Sequence, residues 1–168
     1  TTLKVLTGYL AASAGSAWRR RSRLHMVLYP YGFTSIIPAV NWTVLFHDEF
    51  DREYRPLAKG LQDELLAHAL LLSQFGPGLG RPTVDTLKSK HANMKELRFG
   101  WQGEVWRVAF AFDPDRQAIL LVGGDKAGAD QKRFYKRLIG LADARFDMHL
   151  ASLASVAARM ERRHATKS

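Results

Sequence analysis

Between residues 94 and 124 three runs of β-forming residues follow one another, MKELRF, EVWRVAFAF and QAILLVGG, joined only by Gly100 to Gly103 and by DPDR. Connections this short cannot carry the chain across a sheet and back, so the three runs must pair antiparallel. The pairing fixes which residues share a face. In GEVWRVAFAF, Trp106, Val108, Phe110 and Phe112 point one way, and Val105, Arg107, Ala109 and Ala111 point the other. The aromatic face reads as core. The opposite face reads as shallow, because two alanines follow Arg107 along it, so a ligand could approach the sheet there. Arg98 sits in the middle of the preceding run. An arginine inside a packed strand is costly unless its guanidinium meets a carboxylate, a phosphate or water. The two arginines therefore predict an anion on this sheet.

The chain has 168 residues, of which 46% are hydrophobic and 11% aromatic, enough for one domain with a real core and too few for two. It has no cysteine, which excludes disulfides and thiolate metal sites, and its six histidines form no H-x-x-x-H pair, so no metal and no cofactor are expected. The net charge of +9 points to a polyanionic partner, and its distribution is uneven. Residues 1–40 hold five basic and no acidic side chains, 41–129 hold eleven and twelve, and 130–168 hold nine and four. Within the nearly neutral middle, residues 81–110 hold six bases against three acids, so the basic excess there falls on the strand region, and beyond it on the C-terminal helix.

Residues 1–40 lack any regular period and place their apolar run before RRRSR, the wrong order for a secretory signal. No run reaches the roughly 18 apolar residues of a membrane span, and a cytoplasmic protein is expected. We divide the chain into a flexible basic extension (1–40), a domain (41–147) and a C-terminal helical extension (148–168). The domain opens with the strand WTVLF, after which Asp48 should cap a short acidic helix that Pro56 interrupts. A second helix follows, with Leu61, Leu65, Leu66, Ala69, Leu72 and Phe75 at helical spacing, ended by GPGLGRP. From near Asp130 a helix with Phe134, Leu138, Leu141, Leu150, Leu153, Ala157 and Met160 on one stripe would run about 50 Å. Such a helix outruns a small sheet, so its distal half should pack against a partner or the N-terminal extension. The class is α+β: an antiparallel sheet of about four strands, an N-terminal helical hairpin and a long C-terminal helix.

This order of elements, with ELR, then WRV, then a glycine-rich strand end followed by lysine, resembles the RelE/HigB superfamily of toxins, and within it the phage-derived Gp49-like HigB branch. The likeness covers about residues 41–147. It implies the RelE-like fold and the toxin of a type II toxin-antitoxin pair. Such a toxin is a ribosome-dependent, metal-independent messenger RNA endoribonuclease that inhibits translation and arrests growth. Its partners would be the ribosome, messenger RNA and a cognate HigA-like helix-turn-helix antitoxin. The resemblance also implies roles residue by residue. Arg107 matches the arginine expected at the scissile phosphate, Arg98 the arginine of the ELR motif, Lys126 the basic residue after the last strand, and Tyr135 a tyrosine near the C-terminal helix. One departure stands out: the paired lysines of RelE-type toxins fall at Met94 and Glu96, leaving Lys95 on the opposite face. A non-catalytic module of the same fold, binding an antitoxin or nucleic acid, is the alternative.

The implied reaction is attack of a ribose 2′-OH on the adjacent phosphate, giving a 2′,3′-cyclic phosphate. Arginine forks can bond the equatorial oxygens and a lysine can add point charge, each donor lowering the barrier by about 2 to 4 kcal/mol. Tyr135, His91 and Glu96 are the proton-transfer candidates, His91 because imidazole titrates near neutrality. Lys88, Lys90, Lys95, Lys132, Arg133, Lys136 and Arg137 could track RNA or ribosomal phosphates. Each has an ordinary structural reading. Arg107 could pair with Glu104 or Glu96, and Arg98 could support Arg107 through Glu96. Tyr135 could cover the core, and the lysines could be a solvated face.

Overall fold

The computed structural model describes residues 42–128 and 130–165, together with the backbone of three short strands, β1 (Lys4–Val5), β2 (Met26–Leu28) and β3 (Thr34–Ile36). The rest of the 1–40 extension, and with it the expectation of flexibility there, lies outside the described residues. The continuous described run opens with β4 (Thr43–Phe46), whose last three residues are buried. Helix α1 (Asp48–Tyr54) follows at once, with Asp48, Glu49 and Asp51 in its first turn. Its cap is His47 rather than Asp48: the imidazole Nδ1 accepts the Glu49 N–H at 3.3 Å, and Asp48 is already helical.

Helix α2 (Lys59–Phe75) buries Leu61, Leu65, Leu66, Ala69 and Leu72, the expected stripe. Phe75 departs from it and is 46% exposed, because the last turn runs past the edge of the core. Gly76 ends the helix at φ +53°, and a side chain there would also collide with the Trp42 ring.

After β5 (Val84–Thr86) come β6 (Met94–Trp101), β7 (Glu104–Phe112) and β8 (Gln117–Asp125), the predicted antiparallel run. Only Gln102 and Gly103 separate β6 from β7, and both have positive φ, 46° and 85°. Those angles suit a type I′ turn, whose twist matches the strands it joins. The sheet order is β1-β4-β8-β7-β6-β5. One pairing departs from the antiparallel expectation: β4 lies parallel to β8, with Thr43 opposite Gln117 and Phe46 opposite Leu120, so the sheet is mixed. The α1–α2 hairpin and the β5–β7 meander together make the long crossover that a parallel neighbour needs.

Helices cover both faces. Phe46, Phe50, Tyr54, Leu65, Leu97, Val108 and Phe110 join α1 and α2 to the aromatic face. Met94, Ala109, Ala111, Ile119 and Leu121 on the other face pack under Leu138, Ala142 and Phe146 of α3 (Gln131–Ala165). The alanine face is therefore not open to a ligand. Ala109 and Ala111 are fully buried, and their small side chains admit a helix. Asp130 caps α3 by accepting the Arg133 N–H at 2.9 Å. The last buried side chain of α3 is His149; beyond it Val156 and Met160 are more than half exposed.

Candidate active site

The β6–β7 register sets Arg98 directly opposite Arg107, so the two guanidinium groups rise from one face as cross-strand neighbours. Like charges so placed repel, and the sequence supplies the remedy two residues away. Glu96, on the same face of β6, holds Oε1 3.8 Å from the Nε of both arginines. The first turns of α3 close the cluster. Gly124 of β8 lies opposite Arg107, and its missing side chain lets the Phe134 ring settle on the strand, within 3.4 Å of where a Cβ would stand. Phe134 packs edge-on to Tyr135, whose hydroxyl donates to Glu96 Oε1 at 3.1 Å. Lys126, just past β8, places its ammonium 5.5 Å from the centre of the Tyr135 ring.

The members differ in access. Glu96 is 4% exposed and Arg107 6%, whereas the Arg98 side chain is 31% exposed. Arg107 donates one Nη1 bond to its neighbour's carbonyl, Trp106 O, at 2.8 Å, while its Nε and the second Glu96 oxygen are buried without hydrogen bonds. Arg98 is oriented by Asp85 Oδ2 at 3.0 Å, which Arg81 also holds at 2.8 Å. Burial pushes the Glu96 carboxyl above its usual value, opposed by the Tyr135 hydroxyl and by both arginines. Burial likewise raises the Tyr135 phenol, with Arg107 pulling the other way. Asp85 is lowered, chiefly by the Thr86 N–H and then by Arg81 and Arg98. The result is a group of cations around a carboxylate whose proton affinity is raised, next to a phenol that already shares a proton with it.

Five of the residues singled out in the sequence thus meet: Arg98, Arg107, Lys126, Tyr135 and Glu96. His91 does not join them. Its Nε2 lies 2.9 Å from Asp147 Oδ1 and its ring stands edge-on to Phe146, with Lys90 on the other Asp147 oxygen at 2.5 Å. Asp147 is twelve residues along α3 from Tyr135, about 18 Å. Lys88 is exposed on the same loop. Lys95 shares its face with Leu97 and Phe99, so the sheet stands between it and Arg107. Lys132, Arg133, Lys136 and Arg137 are exposed on the first turns of α3.

A buried polar group escaped the sequence reading. Arg145 grips both carboxylate oxygens of Glu53 and donates to Leu121 O at 2.7 Å, tying α3 to α1 and β8. One turn later His149 Nε2 meets Asp113 Oδ2 at 2.9 Å, with both side chains almost wholly buried. His47 is 1% exposed, and its pKa is lowered by burial and then by Arg145. The signal was present in the spacing: Leu138, Ala142, Arg145 and His149 form one inward stripe, and two polar members of an apolar stripe imply buried partners.

Comparison with known proteins finds relatives of this sequence. "Putative toxin HigB2" of Mycobacterium tuberculosis is 48% identical over 96 residues, covering 55% of this chain and 47% of that protein. "Putative toxin HigB3" of the same organism is 55% identical over 83 residues, covering 49% and 70%. The chain thus spans about half the length of the first relative and about two thirds of the second. No solved structure matches it. The family model described as phage derived protein Gp49-like matches residues 52–147, which hold α2, the whole β5–β8 meander and the docked half of α3, with every member of the arginine cluster. The chain therefore belongs to the phage-derived Gp49-like family, in the company of proteins named as HigB toxins.

Proposed function

We propose that this protein is the toxin of a toxin-antitoxin pair and a ribosome-dependent messenger RNA endoribonuclease, acting in the cytoplasm and held in check by a cognate antitoxin. The observation that carries the reading is the convergence of Arg98, Arg107 and Lys126 on a Tyr135–Glu96 hydrogen bond at one end of the sheet. In the proposed reaction the 2′-oxygen attacks phosphorus as its proton passes to the Tyr135 oxygen, and the tyrosine proton passes to Glu96. The bond to the 5′-oxygen then breaks, and that oxygen takes a proton from water, so the products are a 2′,3′-cyclic phosphate and a 5′-hydroxyl. Arg98, the more open arginine, meets the phosphate directly, and Arg107 sustains the positive field from beneath. Lys126 adds charge near the leaving oxygen, while Lys132 and Lys136 track flanking phosphates.

One observation favours a second reading. Arg107 and Glu96 are both nearly sealed from solvent and already face each other, the arrangement of a structural ion pair in a non-catalytic module. Expression of the full chain in bacteria with mapping of messenger RNA ends separates the two. The nuclease reading expects growth arrest with new in-frame ends, and Arg98→Ala or Arg107→Ala should cut their yield by about 30- to 1,000-fold. Wild-type chain that neither slows growth nor makes new ends would sink it and leave the binding module.

A further inference from the structure

The charges beside the arginine pair extend one strand further than the pair itself. Asp85 of β5 lies opposite Glu96 in the strand register, and its carboxylate turns toward Arg98. One oxygen, Oδ1, is occupied by the Thr86 N–H at 2.9 Å. The other, Oδ2, takes two guanidinium groups at once, Arg98 Nη1 at 3.0 Å and Arg81 Nη2 at 2.8 Å. Arg81, Asp85, Arg98, Glu96 and Arg107 thus alternate in sign from the rim of the sheet to its sealed interior.

Two cations on one oxygen stand with their donor nitrogens within about 6 Å of each other, a spacing that bare guanidinium groups would resist. Asp85 offsets that repulsion and aims both forks. The Thr86 N–H first, and then Arg81 and Arg98, hold its carboxyl below the usual value, so it stays ionised at neutral pH. Arg98 Nη2 and Arg81 Nε and Nη1 keep no protein partner among the described residues, and the Arg81 side chain is 76% exposed. β5 is the last strand on its side of the sheet, so among the described residues no further strand stands between Arg81 and solvent.

We infer that Arg81 is a further phosphate-binding residue of this site and that Asp85 is its positioning residue, holding Arg81 and Arg98 as a two-pronged clamp for successive phosphates of one RNA strand. Arg98 takes the phosphate at the reacting centre, and Arg81 takes the next one toward the β5 edge. Read as a plain surface ion pair, Asp85 makes the opposite prediction. A carboxylate beside a bound anion repels it, so its removal would tighten binding. A carboxylate that positions the clamp must instead weaken binding when removed, since the ligand itself then has to order two long side chains. The inference rests on the proposed reading of the site as one for RNA, and it is tested by binding without cleavage.

The probe is fluorescein-labelled 2′-O-methyl hexauridylate, which lacks the attacking hydroxyl, titrated with the full chain by fluorescence anisotropy at several salt concentrations. Asp85→Ala should bind it about 5-fold more weakly than wild type although a negative charge is removed. Asp85→Asn, whose amide oxygen can still accept from both arginines, should stay within about 3-fold of wild type or bind more tightly. Arg81→Ala should bind about 10-fold more weakly and flatten the slope of log affinity against log salt by about 0.7, the share of one single-strand phosphate. Arg52→Ala removes an exposed arginine of α1, across the sheet from the clamp, and should leave affinity and slope as in wild type. Arg81 is exposed, so its variant should fold even if Asp85→Ala does not, as circular dichroism would show. The clamp is overturned if wild type does not bind the probe, if Asp85→Ala binds as well as wild type or better, or if Arg81→Ala leaves the salt slope unchanged. The cleavage reading fails separately. A chain that behaves as expected here yet makes no new messenger RNA ends has the clamp without the nuclease, and one that cuts while Asp85→Ala binds more tightly has the nuclease without the clamp.

Discussion

The His149–Asp113 pair gives the sharpest test of how α3 is fixed to the sheet. The carboxylate of Asp113 is fully buried, with Oδ1 accepting the Gln117 N–H at 2.9 Å and Oδ2 facing His149 Nε2 at the same distance. His149→Leu keeps about the same volume and removes the donor, so Oδ2 is left with neither partner nor water. An unsatisfied buried acceptor costs about 1 to 3 kcal/mol, and a buried carboxylate stripped of its partner about 3 to 5. The expected loss is therefore about 3 kcal/mol. For a chain of this size that is a fall in Tm of about 6 to 12 °C. Urea unfolding followed by tryptophan fluorescence should show it as a shifted midpoint with an unchanged m value. Adding Asp113→Ala should give back part of the loss, because the orphaned oxygen goes with it. The reasoning fails if His149→Leu stays within about 0.5 kcal/mol of wild type, or if the two single losses simply add.

Three further outcomes follow from the same contacts. Arg145→Met should cost about 1 to 3 kcal/mol in the same urea assay, mostly from the orphaned Leu121 carbonyl, because Glu53 is half exposed and can turn to water. His47 is held below the usual imidazole value of about 6.5. Below that value the unfolded chain binds a proton that the folded chain refuses, so stability should fall as pH drops from 7 through 6.5 toward the folded value. His47→Asn, which can retain the cap, should flatten that part of the curve. In the cleavage assay, Glu96→Gln should lower both kcat and KM, since it leaves the arginines uncompensated toward bound phosphate and removes the final proton acceptor; an unchanged kcat would refute the relay.

The sequence was most legible where period and turn length leave no choice. The β6–β8 meander, the stripe of α2 and the start of α3 follow from alternation, helical spacing and the Gln102–Gly103 turn. It was least legible where two distant segments choose each other. Nothing local to TVLF says that β4 pairs with β8, or that it does so in parallel. The face opposite the aromatics looked open because alanine is small. Smallness fits a docked helix as well as a ligand, and only the inward stripe of α3 decides between them. His91 lies in the loop before β6, next to the site in sequence. The Asp143 and Asp147 carboxylates draw that loop to the middle of α3, through Ser89 as well as His91.

The same comparison bears on the roles proposed for the two arginines. Alanine neighbours recommended Arg107 as the phosphate ligand, and an acidic neighbour seemed to demote Arg98. Burial reverses the access, since the strand opposite Gly124 is the one that Phe134 and Tyr135 cover. Yet burial is what would give Arg107 its effect in the proposed reaction. A guanidinium with its Nε unbonded in a site that water cannot reach keeps its field, whereas an exposed one is screened. Glu96 cancels part of that field while it is ionised. In the proposed reaction the Tyr135 proton ends on Glu96 as the 2′-OH proton replaces it, so the cancellation would be lifted as negative charge builds on the phosphorane. Stabilisation would then grow between ground state and transition state, the difference that accelerates a chemical step. A pair of arginines with no carboxylate between them would hold the phosphate just as firmly before the reaction as during it.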